Sequence, residues 1–301
     1  MKASTKSFYQ DAVTRVVAHI AAHLDRAVDL DELAALAGTS PFHFHRICRG
    51  MLGETPLELA RRLRLERAAH QLGQGRDSIT QVAFAAGYES HEAFTRAFRG
   101  AYGAAPREFR RAQVRRIEIA AVNGIHYTPG GPGPSPRFRD TGGITMDVVL
   151  EELPSYRLAM VRHVGPYNQV GNAFHQLGAI GGPLGLFTER SMMLALYHDD
   201  PEAVPAGELR SDAALVVSDG VKLPDGIVEG RLPGGTYARA RHRGSYEGLG
   251  DAWARFMGEW LPASGHRVAQ GAAVEIYRDG PMINPGSEAV TDLLVPIERS
   301  A

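Results

Sequence analysis

A glutamate in the middle of an apolar run is the residue best placed to do chemistry in this 301-residue chain. In AAVEIYRDGP, Glu275 precedes Tyr277 by two positions, the spacing that puts two side chains on one face of a strand. A matching phrase, MMLALYHDDP, stands 80 residues earlier, and there Ala195 holds the glutamate's place. A carboxylate added to one copy of a buried strand is costly unless something pairs it. An internal arginine such as Arg239 or Arg241 would do so. So would a cationic ligand held among aromatic rings by charge and cation–π attraction. The candidates to line such a pocket with Glu275 are Tyr156, Tyr167, Tyr197, Trp253, Trp260 and Tyr277, in a half that also holds Phe174, Tyr237 and Tyr246.

A second chemistry is carried by arginines that recur in register. Ala34, Gly38, Ser40, Phe44, Arg46, Arg49, Gly50, Gly53 and Pro56 return as Ala83, Gly87, Ser90, Phe94, Arg96, Arg99, Gly100, Gly103 and Pro106. Each copy reads as a short helix (LDELAALAG, ITQVAFAAG), a turn at a glycine, and a second helix opened by a serine N-cap. Phe44, Ile47 and Cys48, and likewise Phe94, Ala97 and Phe98, face inward at helical spacing, which makes the single cysteine a buried apolar residue. The outward residues are Phe42, His45, Arg46 and Arg49 in one copy and His91, Glu92, Thr95, Arg96 and Arg99 in the other. A kept scaffold with changed outward residues suits two heads reading different base pairs. Arg46 and Arg96 can donate to guanine or to phosphate, Glu92 can accept from cytosine, and Thr95 or Phe42 can touch a thymine methyl.

These motifs carry a specific resemblance. Residues 8–112, through LAALAGTSPFHFHRICRGMLGETPLELARRLRLERA and ITQVAFAAGYESHEAFTRAFRGAYGAAPREFRR, resemble the DNA-binding domain of the AraC/XylS transcription regulators. The resemblance implies two helix-turn-helix units joined by a long helix, here 56–72, entering successive major-groove segments of double-stranded DNA. It implies RNA polymerase as a partner as well. Phe42 departs from the tryptophan that close relatives often have. Residues 145–299, through RLAMVRHVGPYNQVGNAF, YARARHRGSYEGLGDAWARFMGEWLPASGH and VEIYRDGPMINP, resemble the GyrI-like effector-binding domains. In drug-responsive relatives the glutamate matching Glu275 anchors lipophilic cations.

Around these sites the chain organises itself by composition. The Gly/Pro-rich stretch TPGGPGPSPRFRDTGG separates helical from mixed patterning. The expected domains are residues 1–113 for DNA, a linker at 114–144, and 145–301 for the effector. Residues 1–116 hold 18 Lys and Arg against 12 Asp and Glu, and the rest 15 against 22, so the basic half suits DNA and the acidic half a different partner. In the back half Pro154, Ala159, Arg162, His163, Gly165, Tyr167, Gly171 and Ala173 return 79 residues later. The expected fold is thus an all-α N-terminal domain followed by an α+β domain. Its two strand-helix-strand-strand repeats would form one antiparallel sheet backed by helices.

The lone cysteine allows no internal disulfide, the N-terminus lacks the apolar core of a signal peptide, and no run approaches the roughly 18 apolar residues of a membrane helix. A cytoplasmic location without membrane contact is expected. No cofactor, metal set or catalytic nucleophile is apparent. His43 and His45 point to different sides of a helix, and His19 with His23 lack a third ligand. The expected function is a one-component regulator, monomer or dimer, that reads DNA and senses a small cationic or amphipathic molecule. Two alternatives remain: a DNA-tethered hydrolase with Glu275 as general base, as some GyrI-like relatives are described, and a module that binds a protein such as a topoisomerase.

Overall fold

A computed structural model describes residues 2–39, 41–112, 117–131, 135–139, 146–188, 191–199, 201, 204–279 and 287–299, with the side chains of 2–4, 41 and 42 left out. Contacts divide the chain into two compact units: Phe8–Gly38 with Cys48–Thr141, and Met1–Ser7 with Thr39–Ile47 and Gly142–Ala301.

The first is helical. Its elements are α1 (Lys2–Ala22), α2 (Leu30–Ala37), α3 (Pro41–Leu52), α4 (Pro56–Gln74), α5 (Ile79–Ala85), α6 (His91–Tyr102) and α7 (Pro106–Ala112), with α1 and α3 running across the division. Side chains fix where the helices begin. Asp29 accepts from the Glu32 amide, Thr55 and Glu58 form a reciprocal capping box ahead of Pro56, and Ser90 accepts from the Ala93 amide. Gly38 ends α2 at φ 70°, which a residue with a Cβ would adopt only under strain. The helix-turn-helix pairs are α2–α3 and α5–α6, joined by α4. Leu65, Ala68, Ala69 and Leu72 of α4 pack with Val82, Ala83, Phe94, Phe98 and Phe109 in one core. Cys48 is fully buried, as its spacing requires.

The expected linker is in part a packed strap. Within 114–144 the side chain of Ile125 is fully buried and that of Asn123 nearly so. The cause is a buried carboxylate on α4. Glu66 accepts from the amides of Ile119 (2.9 Å) and Tyr127 (2.8 Å), from His126, and from Arg62. Arg62 in turn donates to Glu54 and to the Ile125 carbonyl at 2.7 Å. An irregular segment satisfies its backbone on side chains rather than on a ladder, so no periodicity announces it. Residues 114–116, 132–134 and 140–144 of the expected linker lie outside the described residues.

The second unit is built on an antiparallel sheet. Its strands are β1 (Val148–Leu153), β2 (Tyr156–Val164), β3 (Met193–Tyr197), β4 (Arg210–Val217), β5 (Val228–Leu232), β6 (Gly235–Arg243), β7 (His266–Val268), β8 (Ala273–Asp279) and β9 (Val290–Arg299). Their order is β1-β6-β9-β8-β3-β4-β2-β5, with β7 paired to β9. The helices are α8 (Gly171–Gly181), α9 (Leu249–Arg255) and α10 (Leu261–Ser264); Phe256–Trp260, between the last two, is π-helical. The two expected strand-helix-strand-strand repeats are present, and each carries one more strand in front. These extra strands are exchanged: β1 of the first repeat pairs with β6 of the second, and β5 of the second with β2 of the first.

That exchange forces the sheet to curl. Only Pro154 and Ser155 link β1, at one edge, to β2, six places along. Six spacings of a flat sheet cover about 29 Å, whereas three Cα steps reach about 11 Å. The edges therefore come together here, and a Cβ on Gly234 would lie 2.8 Å from the Ser155 nitrogen. Leu158 and Leu232 from one end share a single apolar cluster with Tyr237 and Leu294 from the other. The strand order reads the same from either end once β1 is exchanged for β5, β6 for β2, β9 for β4 and β8 for β3. A pseudo-twofold axis thus passes between β3 and β8. At the centre of that ladder Ala195 stands directly opposite Glu275.

Candidate functional site

Directly opposed residues of an antiparallel pair share a face, so Ala195, Tyr197, Glu275 and Tyr277 project together, away from Leu194, Leu196, Val274 and Ile276 in the apolar cluster. Glu275 is 5% exposed. Its Oε2 accepts from the hydroxyls of Tyr197 and Tyr277, both at 2.9 Å, and its Oε1 accepts from Trp253 Nε1 at 2.8 Å. The two tyrosines are counterparts in the repeat, and their hydroxyl oxygens lie 3.1 Å apart. Burial, reinforced by the Glu275 charge, pushes both phenols well above their usual range, so each keeps the proton it donates at neutral pH.

Aromatic edges close around this centre. Tyr167 meets Tyr197 edge-on at 4.8 Å, and its repeat counterpart Tyr246 meets Tyr277 edge-on at 5.8 Å. Phe174 of α8 stands at 90° to Tyr277, 5.3 Å away; it is the repeat counterpart of Trp253 on α9. Trp253 continues through Phe256 to Trp260 at centroid distances of 5.9 and 5.4 Å. Among the described residues, all three hydrogen-bond partners of Glu275 are neutral. Pairing with Arg239 or Arg241 does not occur: Arg239 bonds Glu151, and Arg241 bonds Asp292 at 2.7 and 3.0 Å.

The structure thus gathers Tyr167, Tyr197, Trp253 and Tyr277 about Glu275 and leaves two expected residues apart. Tyr156 lies on the sheet's other face, against the cluster of Leu158, because β2 alternates and places 156 with 158. Trp260 stacks on Phe256. Phe174 and Tyr246 join the site, and the repeat offset that relates them to Trp253 and Tyr167 was the signal for them. His163 and His242 close their turns on the carbonyls of Pro166 (3.1 Å) and Ser245 (3.0 Å).

The two reading helices are presented differently. On α6, His91, Glu92, Arg96 and Arg99 are exposed and Thr95 is half-buried. On α3, Arg49 is exposed but His45 is buried, and Arg46 places its guanidinium carbon 4.7 Å from the centre of the Trp253 ring. Arg46 and Trp253 belong to the same compact unit, which includes Thr39–Ile47. His43, on the same turns, bonds the Gly271 carbonyl at 3.2 Å and is 1% exposed. The side chain of Phe42, and Ser40 with its expected cap, lie outside the described residues.

Two helix-turn-helix motifs, together with a duplicated sheet that buries a carboxylate among neutral donors at its pseudo-twofold, define a DNA-binding regulator with a small-molecule-binding domain. Residues 33–112 match the helix-turn-helix domain family, and residues 146–298 match the GyrI-like small molecule binding domain family. The chain belongs to the GyrI-like family. It is 33% identical over 162 residues to a DNA gyrase inhibitor of Edwardsiella ictaluri (strain 93-146), covering 52% of this chain and 100% of that one. A DNA gyrase inhibitor of Yersinia enterocolitica (serotype O:8 / biotype 1B) is 33% identical over 138 residues, covering 43% and 83%. Among solved structures, the EcmrR C-terminal domain is similar at 22% identity and a TM-score of 0.46, over 52% of this chain and 100% of that one. An AraC-type regulator from Chromobacterium violaceum is similar at 29% identity and a TM-score of 0.34, over 35% and 95%. Among the described residues no helix is long and apolar enough to cross a membrane.

Proposed function

We propose that this regulator reads double-stranded DNA through α3 and α6 and takes an organic cation at Glu275, with the outcome passed to RNA polymerase. On this reading residues 1–113 serve DNA and 145–301 serve the effector. The observation that carries the ligand class is the buried Glu275 carboxylate, bonded by neutral hydroxyl and indole donors and ringed by aromatic edges. A desolvated negative charge among aromatic rings attracts a soft, weakly hydrated cation through both charge and cation–π terms. On DNA, Arg96 and Glu92 would touch base edges, while Arg49 and Arg99, in the last turns of their helices, suit phosphates.

Thermal unfolding tests the ligand class. Tetraphenylphosphonium should stabilise the full chain, by about 2.7 kcal/mol at 100 times its dissociation constant. Triphenylphosphine oxide, of similar shape and neutral, should not. Equal shifts from both, or a shift from the neutral compound alone, would remove the cation from the proposal.

The names of the relatives favour one further reading, that the sheet domain binds gyrase. Those relatives align with this domain over 83–100% of their own length. Purified gyrase decides it: inhibition of supercoiling by the full chain would establish that contact, and unchanged supercoiling at saturating chain would exclude it.

A further inference from the structure

The helix-turn-helix repeat contains its own comparison. Arg46 and Arg96 occupy the same place in their motifs, yet Arg96 is exposed on α6 while Arg46 lies over the face of Trp253. That indole is not an arbitrary ring. Its Nε1 donates to Glu275, which fixes the ring plane and enriches its face with negative charge. The same guanidinium is close enough to favour ionisation of Tyr197, the second donor to Glu275. His43, one turn earlier, anchors the segment on the Gly271 carbonyl, two residues before β8 begins. His43 and His45, both polar, are buried on the helix that the motif offers to DNA.

We propose that the Glu275 site already holds a cation of its own, the Arg46 guanidinium, and that an effector cation acts by displacing it and releasing the first reading helix. This rests on the reading of Glu275 and its rings as a cation site and adds how that site is regulated. Arg46 over Trp253 cannot at the same moment donate to guanine or phosphate. A cation that takes the Trp253 face and the Glu275 charge removes one hold on Arg46, and the helix, anchored by His43 as well, shifts toward the presentation that α6 already has. The internal guanidinium also taxes the effector, because apparent affinity falls by the fraction of molecules whose site is open. The chemistry that fits is therefore a cation with more apolar surface than a guanidinium, able to exceed Arg46 in burial where it only equals it in charge.

The test titrates tetraphenylphosphonium calorimetrically into the full-length wild type, Arg46→Met and Arg46→Lys, and follows hydrogen exchange of residues 39–47. Methionine keeps the length and packing on Trp253 and loses the charge, so Arg46→Met should bind about tenfold tighter than wild type. Arg46→Lys should stay near wild type. In wild type the cation should speed exchange across 39–47, and Glu275→Gln should speed it with no cation present. Equal affinities of wild type and Arg46→Met, with exchange at 39–47 unchanged by the cation, would overturn the displacement while leaving the cation site standing. Absence of binding to both would overturn the cation reading itself, and this proposal with it.

Discussion

Glu275→Gln separates charge from shape at the site, because glutamine fills the same volume. Three donors converge on the carboxylate: the hydroxyls of Tyr197 and Tyr277 on Oε2, and Trp253 Nε1 on Oε1. A glutamine oxygen placed at Oε1 keeps the indole bond, and its amide then faces two hydroxyls that can rotate to accept. The fold should survive with a stability change of about 1 kcal/mol. What disappears is the charge. A bulky cation centred about 5 Å away at an effective dielectric near 20 gains about 3 kcal/mol from that charge. Desolvation returns part of this, leaving an expected 10- to 100-fold rise in the dissociation constant of tetraphenylphosphonium. Calorimetry on wild type and variant should give that change, with less than a twofold effect on any neutral analogue that binds. Because Glu275 is buried, the difference should persist at high salt. Equal weakening of cation and neutral analogue would refute the reasoning, as would an unchanged cation affinity. Glu275 would then be a structural acceptor for three donors.

Other consequences concern the framework. Glu66→Ala strands the Ile119 and Tyr127 amides and removes one acceptor of Arg62, which keeps Glu54 and the Ile125 carbonyl, and urea unfolding should show a loss of about 2–4 kcal/mol; a loss under 1 kcal/mol would mean the strap contributes little. Gly234→Ala sets a Cβ 2.8 Å from the Ser155 nitrogen and 3.0 Å from the Leu153 carbonyl. Thermal unfolding should register a destabilisation of about 1–3 kcal/mol. Burial, and after it the charge of Arg46, lowers His43 from 6.5 to about 3. Its neutral form is therefore favoured in the folded chain, and the stability tied to it is intact above pH 6.5 and lost as pH falls toward 3. Between pH 7.5 and 5.5 the loss should be about 1.4 kcal/mol. It should be absent in His43→Gln; equal pH slopes in the two proteins would contradict the burial.

The helix-turn-helix pairs were legible because a turn between two short helices constrains sequence tightly: an alanine at the close approach, a glycine, a capping serine, each at a fixed offset. Glu275 was legible for a different reason, as the one position where a duplicated strand breaks its own pattern. Less could be read where structure depends on distant partners. β1 carries Val149 and Leu150 exposed at 43% and 44%, so its letters lack the in–out alternation of a half-buried strand, and nothing local encodes that it crosses to the other repeat. The strap over α4 is invisible for the same reason, since its order comes from Glu66, more than 50 residues away. Tyr156 was misplaced because aromatic type says nothing of strand face, which the alternation through Leu158 decides. Arg46 was read from its motif as a DNA contact, and the motif could not show that the same side chain finds an indole within its own compact unit.

The pseudo-twofold between β3 and β8 sets a parity condition on the site. If the two repeats were separate chains paired about a true axis, every residue facing its counterpart would occur twice or not at all. Position 275 faces 195, so such a dimer would offer either no carboxylate or two, with Cβ atoms about 5 Å apart. Two acids that close in a buried place would hold a proton between them and present a mixed, pH-sensitive charge to any guest. An odd number of charges on the axis is available only to a continuous polypeptide whose halves are free to differ. The single negative centre, flanked evenly by Tyr197 and Tyr277, is thus a property of covalent linkage as much as of side-chain chemistry.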